Sequence, residues 1–484
     1  MESKSNPIKQ LAGQTAVYGV SSILGRLLNY LLVPIHTWAF QPTQYGVVSE
    51  FYAYVAFLVV LLTFGMETTF FRFVNKSEDK EKTFNQAFSL VLVLNIIFLT
   101  TVFTFADQIA AWMLYPDYSS YVVWFGLILA VDATSSIFLA KLRYKNEPKR
   151  FAIIQLSSIG VNIVLNLFFL FVLFDKNDPD SLGIGYIFLA NLFASLIKPV
   201  LLYKDVLQFR FIWNTVLMKS MLIFATPLVI ASFAGIINET LDRILIKRLL
   251  IDKGADYAQA QVGIYSACYK LSILINLFIQ AYRYAAEPFF FAHEKHKDKN
   301  KIYSDVMTYF IIIVTLIFLV ISLNLDIFKW FIPNQSYWEG LKIVPILLLA
   351  NVCLGIYYNQ SIWYKLANKT IYGAYISIIG AILTLSLNFL LIPSFGYIGA
   401  AWTTLAVYAS MMVISYIAGQ RVYPIKYNLR KAGLYLFSAL IFYGIGSIID
   451  TDSLALQTLL RGLFILLFIV IVWYMEKPAR FFRS

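Results

Sequence analysis

Charge is scarce in this 484-residue chain: Asp, Glu, Lys and Arg together make up 14 % of it. A water-facing surface needs closer to a quarter. With 60 % apolar residues and a mean hydropathy of +0.70, the deficit excludes a soluble globule and implies an integral membrane protein. Cysteine is nearly absent as well. Cys268 and Cys353 both sit in apolar runs, which excludes a disulfide framework and a thiolate metal cluster and leaves them as packing residues. Three histidines supply little for acid–base work at neutral pH, and no Ser/His/Asp arrangement is present. His293 and His296, with Glu294 between them in a Lys-rich loop, lack the further ligands a metal needs. No GxxxxGK[ST] stretch occurs, so ATP coupling within the chain finds no support, and no cofactor is expected. The polar segment 1–10 leads to no small-residue cleavage site, so no removable signal peptide is read and the first span is expected to remain. A net charge of +12 invites a nucleic-acid reading, but no basic face with interleaved stacking aromatics exists to carry one.

What the chain has in quantity is apolar runs of roughly 20 residues, the length that crosses a ~30 Å hydrocarbon core as a helix. They fall at about 11–40, 45–74, 84–106, 121–140, 151–174, 183–203, 217–249, 262–291, 303–325, 341–364, 371–392, 397–419, 431–449 and 456–475. The predicted fold is therefore all-α, with 14 transmembrane helices. Lys and Arg collect in alternate connections: Lys76 to Lys82, Lys141 to Arg150, Lys204 to Lys219, Lys295 to Lys301, Lys365 to Lys369, and Arg421 to Lys431. The connections between are short and acidic or neutral, such as Asp107 to Asp117 and Asp450 to Asp452. That asymmetry places both termini in the cytoplasm. Lys247, Arg248 and Lys253, on the expected outer side after the seventh span, are the exception. Aromatic clusters such as Phe289 to Phe291 and Trp330 with Phe331 fall near span ends, as interfacial anchors do.

The order of the spans repeats. Gly46-Val47-Val48-Ser49-Glu50-Phe51-Tyr52 returns 217 positions later as Gly263-Ile264-Tyr265-Ser266-Ala267-Cys268-Tyr269, and twenty residues before each copy stands an arginine, Arg26 or Arg243. Arg143, Asn146 and Asn166 match Lys365, Asn368 and Asn388 at a spacing of 222. Each half then holds six spans, and an even number inserts both copies in the same orientation, related by a pseudo-twofold along the membrane normal. The expected organisation is an N-terminal six-helix lobe at 1–212, a second at 213–425, and two additional helices with a tail at 426–484.

Ionisable groups inside spans are the candidates for function, because each is costly there. Arg26 lies near mid-span with Ser22 and Asn29 as polar neighbours and no acid three or four residues away. An unpaired central charge costs ~3 kcal/mol or more, so Arg26 needs a carboxylate from another helix, water in a cavity, or an anionic ligand. Its planar fork suits a phosphate or pyrophosphate. The bland alternative is an interhelical ion pair with Glu50, Glu67 or Asp132. Arg243 has Glu239 one turn earlier, and Arg283 has Glu287 one turn later, so local neutralisation is expected at both. Asp242 is left unaccounted for. Lys270 has no acid at helical spacing and is a candidate cavity cation. Asp132 either relays a proton or pairs with a cation. Pro34, Pro227 and Pro345 are placed to kink or start helices.

Several stretches resemble the polysaccharide (O-antigen) flippase family of the multidrug/oligosaccharidyl-lipid/polysaccharide exporter superfamily. They are Leu24-Gly25-Arg26 with Pro34 and Tyr45-Gly46; Leu142-Arg143-Tyr144-Lys145; Leu241-Asp242-Arg243-Ile244-Leu245-Ile246 with Gly263-Ile264-Tyr265-Ser266; and the run from Asn388 to Ala401. The resemblance implies two six-helix lobes around a central cavity, two extra C-terminal helices, and alternating access that carries an undecaprenyl-pyrophosphate-linked oligosaccharide to the outer leaflet of a bacterial cytoplasmic membrane. In that picture Arg26 matches an arginine-bearing position of the motif, and Arg243 and Lys270 would contribute from the other lobe; the reading of ionisable groups adds Arg283 to the candidate substrate-binding cations and leaves Glu67, Asp132, Asp242 and Glu287 as candidate coupling or pairing carboxylates. Expected partners are the lipid-linked oligosaccharide, membrane lipids, and the polymerase and glycosyltransferases of the same pathway. A peptidoglycan-precursor flippase shares this plan. A cation-coupled drug exporter fits less well, because residues 11–40 contain no Asp or Glu where that branch carries a carboxylate. A membrane polymerase or glycosyltransferase would need a larger outer loop or a carboxylate-rich site.

Overall fold

The computed structural model describes residues 24–25, 27–176, 178, 181–294 and 296–476. Among them every regular element is helical and no strand occurs, as expected where hydrocarbon offers the backbone no hydrogen-bond partner outside its own segment. Twelve helices are long and apolar enough to cross a membrane. In chain order, α1 is Leu32–Ala39, α2 Pro42–Val74, α3 Lys80–Trp112, α4 Pro116–Tyr144, α5 Pro148–Leu173, α6 Gly185–Leu201, α7 Thr215–Lys253, α8 Ala255–Phe291, α9 Lys299–Leu323, α10 Gln335–Leu366, α11 Ile371–Phe395, α12 Tyr397–Val422, α13 Leu429–Ile448 and α14 Leu454–Glu476. α6 is apolar but shorter than the other spanning helices. Residues 11–23 and 26 of the first predicted span lie outside the described residues and α6 is short, so twelve qualifying helices stand against the fourteen expected.

Residues at matching places in the two halves adopt matching conformations. Asn146 ends α4 with φ 56° and Asn368 ends α10 with φ 54°, two of four non-glycine residues with positive φ among those described. Each donates its amide to the carbonyl three residues back, Arg143 or Lys365, at 3.1 Å in both cases. Asparagine tolerates this left-handed turn at a helix end better than most residues. The repeat read from Asn146 and Asn368 is thus written in the backbone.

Contacts divide the chain into two compact units. One comprises Met1–Phe40 and Val47–Ile236, the other Gln41–Gly46 and Ile237–Ser484. The division falls inside α7. In the first unit, Phe70, Phe84, Phe88 and Phe138 pack with Met218 and Met221 into one core, and Phe51, Tyr115, Phe125 and Phe188 into another. In the second, α8, α9 and α10 supply a large core that includes Tyr265, Leu271, Phe310, Phe318 and Leu347, extended by Tyr435 of α13 and Phe468 of α14.

One half-buried cation ties the last two helices to α9. Arg461 of α14 donates to the carbonyls of Leu323 (3.2 Å), Gly446 (3.2 Å) and Ile449 (2.9 Å) and pairs with Asp326 at 2.8 Å. These carbonyls close α9 and α13, where helices leave acceptors without intrahelical donors and the dipole favours a cation. At the other end, Glu476 accepts from Lys431 (2.8 Å) and from the Tyr435 hydroxyl (2.6 Å).

The repeated glycines have a steric reason. A Cβ at Gly263 would stand 1.9 Å from the Pro42 carbonyl oxygen, and one at Gly46 would stand 2.2 Å from that of Gln259. Two helix backbones cross here with no room for a side chain on either.

Candidate functional site

In the second unit the polar residues of α7 and α8 converge. Arg243 pairs with Asp242 at 3.0 Å and donates to the backbone carbonyl of Glu239 at 2.8 Å. Its guanidinium lies over the rings of Tyr269 (4.6 Å) and Tyr265 (5.8 Å). The Tyr265 hydroxyl donates to the second carboxylate oxygen of Asp242. The expectation that the Glu239 carboxylate neutralises Arg243 is therefore corrected: the partner is Asp242, turned toward its neighbour because Tyr265 of α8 holds its other oxygen. Asp242 is 5 % exposed, and a carboxylate so buried needs this cation and this hydroxyl.

Lys270, next to Tyr269 on α8, makes no side-chain hydrogen bond or ion pair with another described residue. Arg283 stacks on Tyr358 at 4.3 Å. The expected Arg283–Glu287 pair is not formed: Glu287 instead holds Lys365 of α10, a cation that reaches it from a neighbouring helix end. Neither Lys270 nor Arg283 forms an ion pair with a carboxylate among the described residues, although Glu239 lies near enough to Lys270 to act on its charge. Asn238 ties the same unit together, accepting from Thr384 at 2.9 Å and donating to the Ser377 carbonyl at 3.1 Å, while Tyr408 donates to its backbone oxygen at 3.2 Å.

In the first unit, Arg26 lies outside the described residues. The three carboxylates offered as its partners have other engagements. Glu67 of α2 pairs with Arg143 at the end of α4, Asp132 of α4 pairs with Lys198 of α6 at 2.8 Å, and Glu50 accepts from Tyr115 at 2.5 Å. Burial and the neighbouring Glu50 carboxylate push the Tyr115 phenol well above its usual range. The Glu67–Arg143 and Glu287–Lys365 pairs are counterparts, each joining the second helix of a half to the C-terminal end of its fourth. The sequence adds an asymmetry: at the 217 spacing, Asp242 corresponds to Gly25 and Glu239 to Ser22, so Arg26 has neither acid of its counterpart.

Sequence reasoning did not single out a polar ladder between α1 and α5. His36 is hydrogen-bonded to Asn166 Oδ1 at 2.8 Å, Asn166 donates to Asn162 Oδ1 at 3.0 Å, and Asn162 donates to Asn29 Oδ1 at 3.4 Å. Asn29 stands three residues beyond Arg26. The signal was present: Gln155, Ser158, Asn162 and Asn166 form one face of α5 at helical spacing, opposite the exposed apolar Ile153, Val164 and Phe168. Asn191 of α6 adds a bond to the Tyr52 hydroxyl at 2.6 Å. Carboxamides and phenols of this kind match the paired donors and acceptors of sugar hydroxyls.

Two further expectations meet the structure. Lys247, counted as an outer-loop charge, is fully buried in the last turn of α7, where a helix C-terminus favours a cation, and Lys253 donates to the Pro393 carbonyl at 2.8 Å. Pro227 lies inside α7, whereas Pro345 stands where the tighter 3₁₀ stretch Gln335–Ile343 of α10 passes into regular α-helix. Among the described residues no cluster of three or more His, Cys, Asp or Glu could hold a metal.

The family model described as polysaccharide biosynthesis protein matches residues 11–293. No curated protein sequence matches the chain. Among solved structures, the chain is similar to the lipid II flippase MurJ in an inward closed conformation, with a TM-score of 0.74 and 13 % identity over 96 % of this chain and 99 % of that one. It is also similar to a multidrug resistance MATE family transporter of the MOP superfamily. The inward-facing form gives a TM-score of 0.62 and 13 % identity over 83 % of this chain and 95 % of the other. The outward-facing form gives 0.58 and 14 % over 88 % and 100 %. At such identities the likeness establishes a shared fold.

Proposed function

Because this chain belongs to the polysaccharide biosynthesis protein family, we propose that it is a multi-pass transporter that flips an undecaprenyl-pyrophosphate-linked oligosaccharide repeat unit from the cytoplasmic to the outer leaflet by alternating access of its two lobes, 1–212 and 213–425. It would act in a bacterial cytoplasmic membrane with both termini inside, delivering substrate from glycosyltransferases to a polymerase. The observation that carries this reading is the unequal treatment of the duplicated arginines. Arg243 has its charge met by Asp242, whereas Arg26 has Gly25 and Ser22 at the positions of the two acids and so no acid at the matching places in its own segment. Lys270 and Arg283 add cationic charge, and the pyrophosphate of a lipid-linked sugar is the group such a set recognises. The carboxamides around Asn29 supply complementary contacts for the sugar.

Arg26→Ala tests it: surface polysaccharide is lost while the protein still reaches the membrane. Arg26→Lys restores it partly, because the charge returns without the bidentate fork. Undiminished polysaccharide in Arg26→Ala overturns the assignment. A second reading, flipping of a peptidoglycan precursor, is favoured by the 96 % coverage of this chain against a lipid II flippase. Deletion of the gene separates them, since loss of a precursor flippase stops growth whereas loss of a polysaccharide flippase removes only the surface polymer.

A further inference from the structure

A cavity of about 760 Å³ in the second unit lies apart from the cations already described, where the α8–α9 connection meets the segment leading into α13. Lys297, Lys301, Lys426 and Arg430 line it together with Asp298 and Asp305, a net charge of +2. None of the four cations forms an ion pair with a described residue, although both aspartates share the cavity. Two helices, α9 and α13, begin at its wall, so their positive dipole ends add to the same field. Of the lining residues, Arg430 stands on α13 one turn before Leu434 and on the same helical face as Leu434, Phe437 and Ile441, which are exposed and apolar. The cavity is therefore cationic at the head and apolar along one side, at the level where two spanning helices start.

We propose that this cavity binds the phosphate of an anionic phospholipid from the cytoplasmic leaflet, with the acyl chains along the exposed face of α13. Phosphate chemistry alone would suit a free anion as well. The apolar strip from Leu434 to Ile441, headed by Arg430, favours the lipid, because a soluble anion has no use for it. With two more cations than carboxylates in the cavity, a bound anionic headgroup neutralises the excess charge.

The test compares retention of phosphatidylglycerol and phosphatidylcholine by the full-length protein after transfer from mixed-lipid nanodiscs, read by native mass spectrometry. Wild type retains phosphatidylglycerol preferentially. Lys301→Gln/Arg430→Gln lowers that retention by roughly 5-fold per cation, on the order of 25-fold together, while Lys369→Gln, exposed and outside the cavity, leaves it unchanged. Lys297→Gln/Lys426→Gln repeats the measurement should the first pair fail to yield folded protein. Equal retention of the two lipids, unchanged retention in both double variants, or displacement of the lipid by millimolar inorganic phosphate would overturn the proposal, the last pointing to a free anion.

Discussion

The Cα hydrogens of Gly263 face the carbonyl oxygen of Pro42 so closely that a methyl group there would come within 1.9 Å of it. The atom in the way is backbone, which cannot rotate aside. Gly263→Ala must therefore separate the two segments, as must Gly46→Ala against Gln259 at 2.2 Å. Each is expected to cost about 2–4 kcal/mol, in the range of severe core overpacking, and to lower the melting temperature of purified protein. Gly160→Ala and Gly235→Ala, with nothing within 4 Å of the added Cβ, are the matched controls and leave it unchanged or raised.

Asp242→Asn leaves Arg243 buried without its carboxylate. Breaking a buried pair from one side costs about 3–5 kcal/mol. The loss should appear as a large fall in thermal stability, relieved when Arg243→Met is added so that no charge stays behind. A stability loss that persists in the double variant would show that Asp242 acts through Tyr265 alone.

Glu287 and Lys365 make a weaker contact. The Glu287 side chain is 44 % exposed, and exposed pairs contribute about 0.2–1 kcal/mol. Glu287→Lys with Lys365→Glu should therefore cost little stability when combined, yet each single reversal should lower transport by placing like charges together. Restoration of surface polysaccharide in the double reversal checks this.

Asp326 gives a pH signature. Burial opposes its ionisation, but hydrogen bonds and charge from Lys329 and Arg461 prevail and hold the carboxyl below its ordinary 3.8. A group depressed in the folded state stabilises above its unfolded pKa and loses that contribution as pH falls through the folded value. Asp326→Asn should therefore melt below wild type at neutral pH, with the gap closing only below about pH 4. A gap of constant size down to pH 3 would assign the effect to packing.

The membrane class, the helices and the repeat were legible in the sequence because each rests on composition or period: apolar runs, alternating basic loops, Asn146 matched by Asn368. The charge pairings were less so. Glu239 is one turn from Arg243 and looked like its partner, but helical spacing records only proximity on the same helix. What turned the arginine toward Asp242 was Tyr265, on another helix. The same holds for Glu287, whose neighbour Arg283 prefers the face of Tyr358 and leaves it to Lys365. The ladder from His36 to Asn29 was half legible, since the polar stripe of α5 follows helical spacing but its partners on α1 are set by packing.

Asp242 standing where the other copy has Gly25 bears on how such a chain arose. Two identical subunits assembled as a symmetric dimer must place any charge twice, so a carboxylate that neutralises one arginine neutralises both. Joining the copies into one polypeptide removes that constraint. One arginine can then be committed to architecture while its counterpart stays available, a division of labour that two products of one unfused gene could not reach.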